Sequence, residues 1–380
     1  MKIAILSPWT VKPNSIGGTE RFVIDLAESF EKAYNIVDVY MLSGNPYIKN
    51  NVNYISMELF DGKADVDEYF LKAQFNDFND EKSFEDLANK INSKISFDKY
   101  DLIQLNSQLF LKVAEGHRRI YTIHTNPFEY KLDWGEMSFE IMLKLMNKES
   151  KIRNTYFVAP SKYYADLYNG LSNTNINFIP HAIDVSRIIS NEDRTKILEK
   201  MNIDPNKKII LLPSRLEPIQ KQPMLFMKAF AKLDNNIKSN YKIICTGKDK
   251  QYEQFMQDIL LFCNSNDIDI LIDRFEKMSD GYKVADIVML PSKSESFGYS
   301  ALESLSLGIT TILNNIPTYK EIVKDAKNYY LFDNSIESLN KILAETLIKK
   351  IYRVEQPEKW KNKYSIKLFC TRYLNLINKK

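Results

Sequence analysis

The sequence has few of the residues that build metal centres and disulfide frameworks. It contains three cysteines and three histidines in 380 residues. Cys245, Cys263 and Cys370 lack the spacing of a metal site, and their odd number suits a reducing compartment. The chain also lacks a run of about 18 uninterrupted apolar residues, which a transmembrane helix would need. These absences favour a cytoplasmic protein.

Charge of either sign is not in large excess. The chain carries 52 Lys and Arg against 49 Asp and Glu, a net charge of +3. Without a strongly basic domain, nucleic acid is not an expected partner. The first residues form a short β-like run and do not resemble a signal peptide. Peripheral contact with the inner face of a membrane stays open, because an amphipathic surface helix needs no long apolar run. The sequence gives no signal for an oligomeric state.

Length and pattern predict two α/β domains. A chain of 380 residues exceeds a typical single domain, and its 44% hydrophobic content fits a large core. Short apolar runs alternate with longer helical patterns, which favours largely parallel sheets. The alternation breaks in a polar stretch at residues 183–207, where a domain boundary is expected. Residues 45–100 receive no predicted role. The predicted strands are 2–8, 36–42, 102–105, 120–124, 156–159, 176–180, 208–213, 242–246, 268–272, 286–290, 310–313 and 329–331.

Residues 285–308 form the most informative segment. A buried strand at 285–290 leads into a loop that contains Gly298, and a helical pattern follows at 299–307. The backbone N–H groups at a helix start, together with the positive end of the helix dipole, favour an anion there. The segment therefore predicts a site for a negatively charged group.

Two carboxylates in this segment suggest the rest of the ligand. Glu295 and Glu303 stand eight positions apart, on the order of 10 Å if the second lies one helical turn inside the helix. An ionised carboxylate only accepts hydrogen bonds, and two hydroxyls of a diol can supply them. A nucleotide sugar, with ribose at one end, hexose at the other and diphosphate between, fits this arrangement.

The segment resembles the C-terminal signature of the retaining glycosyltransferases of family four, which have the GT-B fold. In that family the first Glu of Glu-(seven residues)-Glu touches the donor sugar, and the second binds the nucleotide ribose. The resemblance assigns these roles to Glu295 and Glu303. It also implies a donor-binding loop whose backbone holds phosphate and sugar, made of Ser296, Phe297, Gly298 and Tyr299.

The resemblance implies two Rossmann-like domains that face each other across a cleft. Residues 1–185 would bind the acceptor and residues 186–364 the nucleotide sugar. Residues 365–380 would form a helix that returns to the N-terminal domain. The pattern Ile366, Phe369, Tyr373, Leu376 independently predicts that final helix.

Two cations follow the first predicted strand of the second domain. Arg215 and Lys221, six positions apart, lie where open α/β sheets bind ligands, and both can face a diphosphate. The family has this pair at matching spacing, where it stabilises the departing nucleoside diphosphate. Ser214 and Gln222 stand where the family commonly has glycine, so a slightly different backbone path is expected.

In the first domain, Gly17 and Gly18 open the first helix, where glycines allow close backbone approach to a ligand. Their position matches the family's N-terminal Gly-Gly loop, which lies against donor phosphate and acceptor. His124 ends a predicted strand, and the comparable family histidine contacts the donor sugar. A core histidine bonded to the backbone is the alternative.

Asp65-Val-Asp67 and Asp267-Ile-Asp269 spell the metal-binding tripeptide of the other major glycosyltransferase fold. Neither follows a suitable segment, so both are interpreted as surface charge. No metal and no cofactor are expected, because the cations and the helix start would perform the task of a metal and the nucleotide sugar is a substrate.

Two further regions are expected to contact the ligands. The nucleotide base is placed near residues 273–276. Phe128, Tyr130 and Trp134 either stack on an acceptor or pack in the core.

The predicted function is transfer of a hexose or N-acetylhexosamine, with retention, from a nucleotide-diphosphate sugar with UDP as the expected nucleotide. The acceptor would be a hydroxyl of a glycan, glycolipid or glycoprotein. One alternative is a hydrolysing sugar-nucleotide 2-epimerase. Another is a non-catalytic GT-B partner protein.

Overall fold

The computed structural model describes residues 1–12, 17–60, 66, 68–247, 250–273, 275–349 and 353–378. The chain divides into two compact units. Unit 1 comprises Met1–Ala182 and Tyr364–Lys380, and unit 2 comprises Ile183–Lys363. Within the described residues, no helix is both long and apolar enough to cross a membrane.

Unit 1 is built on a sheet whose described strands run in the order β3-β4-β2-β1-β5-β6-β7-β8. All neighbours are parallel except β3 and β4, which form an antiparallel hairpin around Asn50 and Asn51. The strands are β1 Lys2–Ser7, β2 Ile36–Met41, β3 Tyr47–Lys49, β4 Val52–Ser56, β5 Leu102–Leu105, β6 Arg119–Thr122, β7 Thr155–Ala159 and β8 Ile176–Phe178. The helices are α1 Gly18–Lys32, α2 Glu68–Gln74, α3 Glu81–Lys94, α4 Pro127–Trp134, α5 Glu136–Glu149, α6 Lys162–Ser172 and, from the end of the chain, α16 Ile366–Asn378.

The last helix is part of the core of unit 1. Tyr373 on α16 packs edge-on against Phe30 of α1, with ring centroids 6.4 Å apart. Its hydroxyl lies 3.0 Å from Oγ1 of Thr122 at the end of β6, and Nε2 of Gln104 donates to that same Oγ1 at 2.8 Å. Tyr373 is fully buried, so this polar chain satisfies hydroxyls that would otherwise be costly to bury.

Unit 2 has a parallel sheet in the order β11-β10-β9-β12-β13-β14. The strands are β9 Lys208–Arg215, β10 Tyr241–Gly247, β11 Ile270–Ile272, β12 Ile287–Leu290, β13 Thr310–Asn314 and β14 Tyr329–Phe332. The helices are α7 Arg194–Lys200, α8 Pro223–Ala231, α9 Asn235–Lys238, α10 Glu253–Asn264, α11 Met278–Val284, α12 Tyr299–Ser306, α13 Pro317–Val323, α14 Ile336–Leu347 and α15 Glu358–Lys363. The predicted fold class, α/β with largely parallel sheets, is confirmed.

The order of the strands fixes where each unit can bind a ligand. In unit 2, β9 comes first in the chain, the next strand lies on one side of it, and β12 lies on the other. The chain therefore reverses its winding direction between β9 and β12. Open α/β sheets bind ligands outside the carboxyl ends of the strands at such a point. Unit 1 has the corresponding point between β1 and β5.

Gln222, at the start of α8, replaces the glycine that is common in the family but keeps a glycine-like backbone. Its φ of 48° and ψ of 44° lie in the left-handed region, which costs a residue with a Cβ about 1–2 kcal/mol. The strand-to-helix turn therefore has, at this position, a conformation that glycine would also adopt. Oε1 of the side chain forms no hydrogen bond that could offset this cost, because it is buried without a partner among the described residues.

We predict that Gln222→Gly raises the free energy of unfolding by about 1 kcal/mol, because glycine adopts the left-handed conformation at little cost. Denaturant unfolding followed by circular dichroism measures the change. Gln222→Ala is the matched control, since it removes the buried amide but keeps the strained Cβ. An equal gain in both variants would place the cost in the amide and contradict the backbone explanation.

Candidate functional site

The carboxyl end of β9 carries Arg215, whose side chain is exposed. Arg215 pairs in register with Gly247 at the end of β10. A Cβ on Gly247 would lie 2.0 Å from the carbonyl oxygen of Ser214 and 2.3 Å from Cα of Arg215. Gly247 therefore lets the two strand ends approach closely and fixes the backbone from which Arg215 projects. In the sequence, the only indication of a role for Gly247 was its position directly after a predicted strand.

The loop after Arg215 is folded around the carboxylate of Glu217. This carboxylate accepts hydrogen bonds from the backbone N–H groups of Ile219 at 2.9 Å and Lys221 at 3.0 Å, and from that of Gln220. Hydrogen bonds from backbone N–H groups to an ionised carboxylate are charge-assisted and strong. They hold the loop in the shape that presents Lys221, a role that the sequence did not suggest.

Lys221 meets the first glutamate of the signature segment, which we define as residues 291–308. Nζ of Lys221 lies 2.7 Å from Oε1 of Glu295, and only 13% and 17% of the two side chains are exposed. The two loops also share a backbone hydrogen bond from Lys293 N to Gln220 O at 2.7 Å. The structure thus brings together two residues that the sequence placed 74 positions apart.

The signature segment turns into α12 at Gly298. This glycine has φ 101°, a left-handed value, and no described side chain caps the helix that follows. Oγ of Ser300 in the first turn donates to the carbonyl oxygen of Pro213 at 3.1 Å, which ties the helix start to the end of β9. The helix start and its dipole therefore lie beside the strand end that carries Arg215, an arrangement suited to an anion.

The remaining members of the predicted donor loop also surround this turn. Phe297 is 5% exposed, and its ring centroid lies 5.4 Å from that of Tyr299. Ser296 is half-buried. Asn314, at the end of β13, donates to the carbonyl oxygen of Ser292 at 3.1 Å and supports the loop from the neighbouring strand.

Glu303 lies inside α12 and is 5% exposed. Its Oε2 accepts a hydrogen bond of 2.5 Å from the hydroxyl of Tyr282, which belongs to α11. The carboxylate is therefore oriented by a contact from a different helix. The sequence predicted Glu303 but gave no indication of Tyr282.

In unit 1, α1 begins at Gly18, and Gly17 is its N-cap residue with an extended backbone. A Cβ on Gly17 would lie 2.2 Å from Oε2 of Glu20, so the glycine leaves room for the glutamate to fold back over the helix start. Thr19 is in the first turn rather than at the cap. Ser15 and Ile16, which precede the pair, lie outside the described residues.

His124 follows β6 by two residues and lies among aromatic rings. Its ring centroid is 4.6 Å from that of Phe22 and 5.5 Å from that of His181. Nε2 is buried without a hydrogen-bond partner among the described residues, so the alternative of a core histidine bonded to the backbone through this atom is not what the structure shows. Burial lowers the pKa of His124 to about 3, and the imidazole is neutral above about pH 4.

The three aromatic residues after β6 differ in exposure. Tyr130 and Trp134 are 1% and 6% exposed and pack in the core of unit 1, whereas Phe128 is 59% exposed.

Near the position expected for the base, Phe275 packs beside Gly281 of α11, where a Cβ would lie 2.9 Å from the ring. Arg274 lies outside the described residues.

The acidic tripeptides show no metal-site geometry where they can be seen. Asp269 forms ion pairs with Lys242 at 2.5 Å and Lys207 at 3.6 Å. The described ranges contain no group of three or more His, Cys, Asp and Glu side chains that could hold a metal ion. Asp65 and Asp67 lie outside those ranges.

Comparison with known proteins gives a family match in the second half of the chain. Residues 193–365 match the family described as glycosyl transferases group 1. The D-inositol 3-phosphate glycosyltransferase of Rhodococcus jostii is 23% identical over 147 residues, which cover 37% of this chain and 32% of that protein. The chain thus spans about a third of the length of such curated relatives.

Two other comparisons cover nearly the whole chain. The uncharacterized glycosyltransferase MJ1607 of Methanocaldococcus jannaschii is 22% identical over 361 residues, 86% of this chain and 84% of that one. The structure of Anabaena HepE, solved in complex with UDP and glucose, superposes with a TM-score of 0.72 at 15% identity and covers 100% of this chain and 99% of that one. Residues 193–365 are thus similar to a glycosyl transferases group 1 domain, and the chain has the GT-B fold that the resemblance of the signature segment implied.

Proposed function

We propose that the protein is a retaining glycosyltransferase that moves a hexose or N-acetylhexosamine from a UDP-linked donor to a hydroxyl acceptor. The acceptor would belong to a glycan, a glycolipid or a glycoprotein. One observation carries the proposal: Arg215, the Lys221–Glu295 pair and the start of α12 converge at the carboxyl ends of β9 and β12. Such a cluster suits a diphosphate with a hydroxyl-rich group beside it.

The proposed roles of the site residues follow from their charges. Arg215 and Lys221, with the helix start, would stabilise the negative charge that develops on the departing diphosphate. This task needs no metal ion in the proposed mechanism. Glu295 would accept hydrogen bonds from the sugar and Glu303 from the ribose, so catalysis rests mainly on positioning. The acceptor hydroxyl would attack from the face that the leaving group vacates, and a phosphate oxygen would take its proton.

His124 would contribute as a neutral group. Its lowered pKa leaves the imidazole uncharged, and the buried Nε2 can still exchange a hydrogen bond with a hydroxyl. We propose that it contacts the donor sugar. Activity between pH 5 and 8 should therefore show no titration that belongs to this histidine.

The comparisons support the choice of donor. HepE, which shares the fold, was solved with UDP and glucose, and a UDP-glucose complex of the same protein matches this chain with a TM-score of 0.70. The relatives named as glycosyltransferases support the reaction class.

The decisive experiment is a screen of nucleotide sugars for slow hydrolysis by the purified protein, with and without EDTA. We expect release of free sugar from a UDP-sugar, unaffected by EDTA, and NMR should show the anomeric configuration kept. Appearance of a 2-epimer would favour an epimerase. Calorimetry with UDP, GDP and ADP that detects no binding would favour a non-catalytic partner.

We predict that Glu303→Gln weakens UDP binding roughly tenfold, because a carboxylate that accepts hydrogen bonds from the ribose hydroxyls is replaced by a weaker acceptor.

Arg215→Ala should instead lower kcat by about 100-fold with a smaller change in KM, because the arginine stabilises charge in the transition state. Steady-state kinetics and calorimetry measure both effects. Unchanged turnover in both variants would overturn the site assignment.

We predict that Glu295→Gln strengthens binding of UDP itself while it lowers sugar transfer. Oε1 of Glu295 lies 2.7 Å from Nζ of Lys221. A bound diphosphate would therefore compete with this carboxylate for the same cation. Removal of the negative charge ends that competition and should lower the Kd for UDP several-fold. Asp269→Asn, which removes a carboxylate from a lysine pair elsewhere in unit 2, is the control and should leave the Kd unchanged. A weaker UDP complex in Glu295→Gln would contradict the competition.

A further inference from the structure

Both glutamates of the signature segment accept a hydrogen bond from a buried tyrosine. The hydroxyl of Tyr319 lies 3.3 Å from Oε1 of Glu295, and that of Tyr282 lies 2.5 Å from Oε2 of Glu303. The tyrosines are 1% and 0% exposed. Neither belongs to the signature segment: Tyr282 is on α11 and Tyr319 is on α13.

The ring of Tyr319 is packed against the turn that opens α12. An added Cβ on Gly298 would lie 2.7 Å from Cε1 of this ring. The ring therefore occupies the space that a side chain at position 298 would take, so its placement requires a glycine there. This packing fixes the hydroxyl beside the carboxylate of Glu295.

The contact leaves Glu295 with one engaged oxygen and one available oxygen. Lys221 and Tyr319 both bond to Oε1, whereas Oε2 accepts no hydrogen bond from any residue that the structure describes. A buried tyrosine keeps its proton, since burial and the carboxylate raise its pKa well above the usual value. Its hydroxyl is therefore the donor in the bond to Oε1 of Glu295, and Oε2 remains to accept from a ligand hydroxyl.

Tyr282, at the other glutamate, is anchored through its backbone. Nη2 of Arg353 donates to the backbone carbonyl oxygen of Tyr282 at 2.6 Å, which anchors the end of α11. The tyrosine hydroxyl then orients the carboxylate of Glu303 from outside α12.

We propose that these two tyrosines are positioning residues for opposite ends of the donor, Tyr319 for the sugar and Tyr282 for the ribose. The proposal rests on the proposed function, because it takes Glu295 as the sugar contact and Glu303 as the ribose contact. Each hydroxyl fixes one oxygen of its glutamate and so aims the carboxylate at a ligand hydroxyl. Loss of either hydroxyl should disturb only the part of the donor that its glutamate holds.

The test compares Tyr319→Phe and Tyr282→Phe in calorimetry with UDP and with UDP-glucose. Tyr319→Phe should leave the Kd of UDP within twofold, weaken UDP-glucose roughly tenfold and lower kcat for its hydrolysis. Tyr282→Phe should weaken both ligands by the same factor, roughly tenfold. These sizes are those expected for a hydrogen bond to a charged group.

Tyr241→Phe is the matched control. Tyr241 is a buried tyrosine of unit 2 whose hydroxyl donates to the backbone carbonyl oxygen of Leu347 at 2.8 Å, so its loss costs stability without contact to either glutamate. It should leave both Kd values unchanged. Thermal unfolding of all three variants checks that they are folded at the assay temperature.

The outcomes separate the inference from the function on which it depends. If Tyr319→Phe weakens UDP and UDP-glucose equally, or neither, its positioning role is overturned. If Tyr282→Phe leaves UDP binding unchanged, the role at the ribose is overturned. If the unaltered protein binds neither ligand, the proposed UDP-dependent function fails first and the inference falls with it.

Discussion

The ion pair between Lys221 and Glu295 is the interaction on which the candidate site depends. It joins two loops that leave neighbouring parallel strands, and little of either side chain reaches solvent. A pair this buried is costly to form unless further hydrogen bonds satisfy it. Tyr319 of α13 supplies one such bond to the carboxylate of Glu295, and Glu217 folds the backbone that presents Lys221. The geometry of the site is thus a product of the loops and of the helices behind them.

The sequence predicted the parts of this site that combine a residue type with a local pattern. Arg215 follows a strand pattern, and Glu295 and Glu303 flank a glycine loop before a helix pattern, so their chemistry and their element could both be inferred. The sequence could not predict Glu217 or Tyr319. Glu217 acts through backbone N–H groups, and Tyr319 reaches Glu295 from a helix that follows a different strand. Such contacts depend on the tertiary fold, and no local sequence pattern predicts them.

The same distinction applies to the fold. Parallel strands with continuous apolar runs were predicted, whereas the short hairpin of β3 and β4 was not. Its turn, Asn50-Asn51, has φ of 49° and 58°, and asparagine is one of the residues that adopt the positive φ such a two-residue turn needs. β3 has only three residues, and β4 mixes apolar with polar residues, so neither has the continuous apolar run that revealed the other strands. His124 was proposed from its place at the end of a predicted strand, but the surrounding Phe22 and His181 come from distant segments.

Unit 1 is assembled from both ends of the chain, since α16 completes a core that begins with β1. The hydroxyls of Thr122 and Tyr373 meet across 251 positions of sequence. During synthesis from the N-terminus, unit 2 is a continuous stretch and has all its residues before the last helix exists. Unit 1 must wait with the surface beneath α16 uncovered until α16 itself has been made. Domains generally fold as units during synthesis, so the half of the protein that is made first is the half that can finish last.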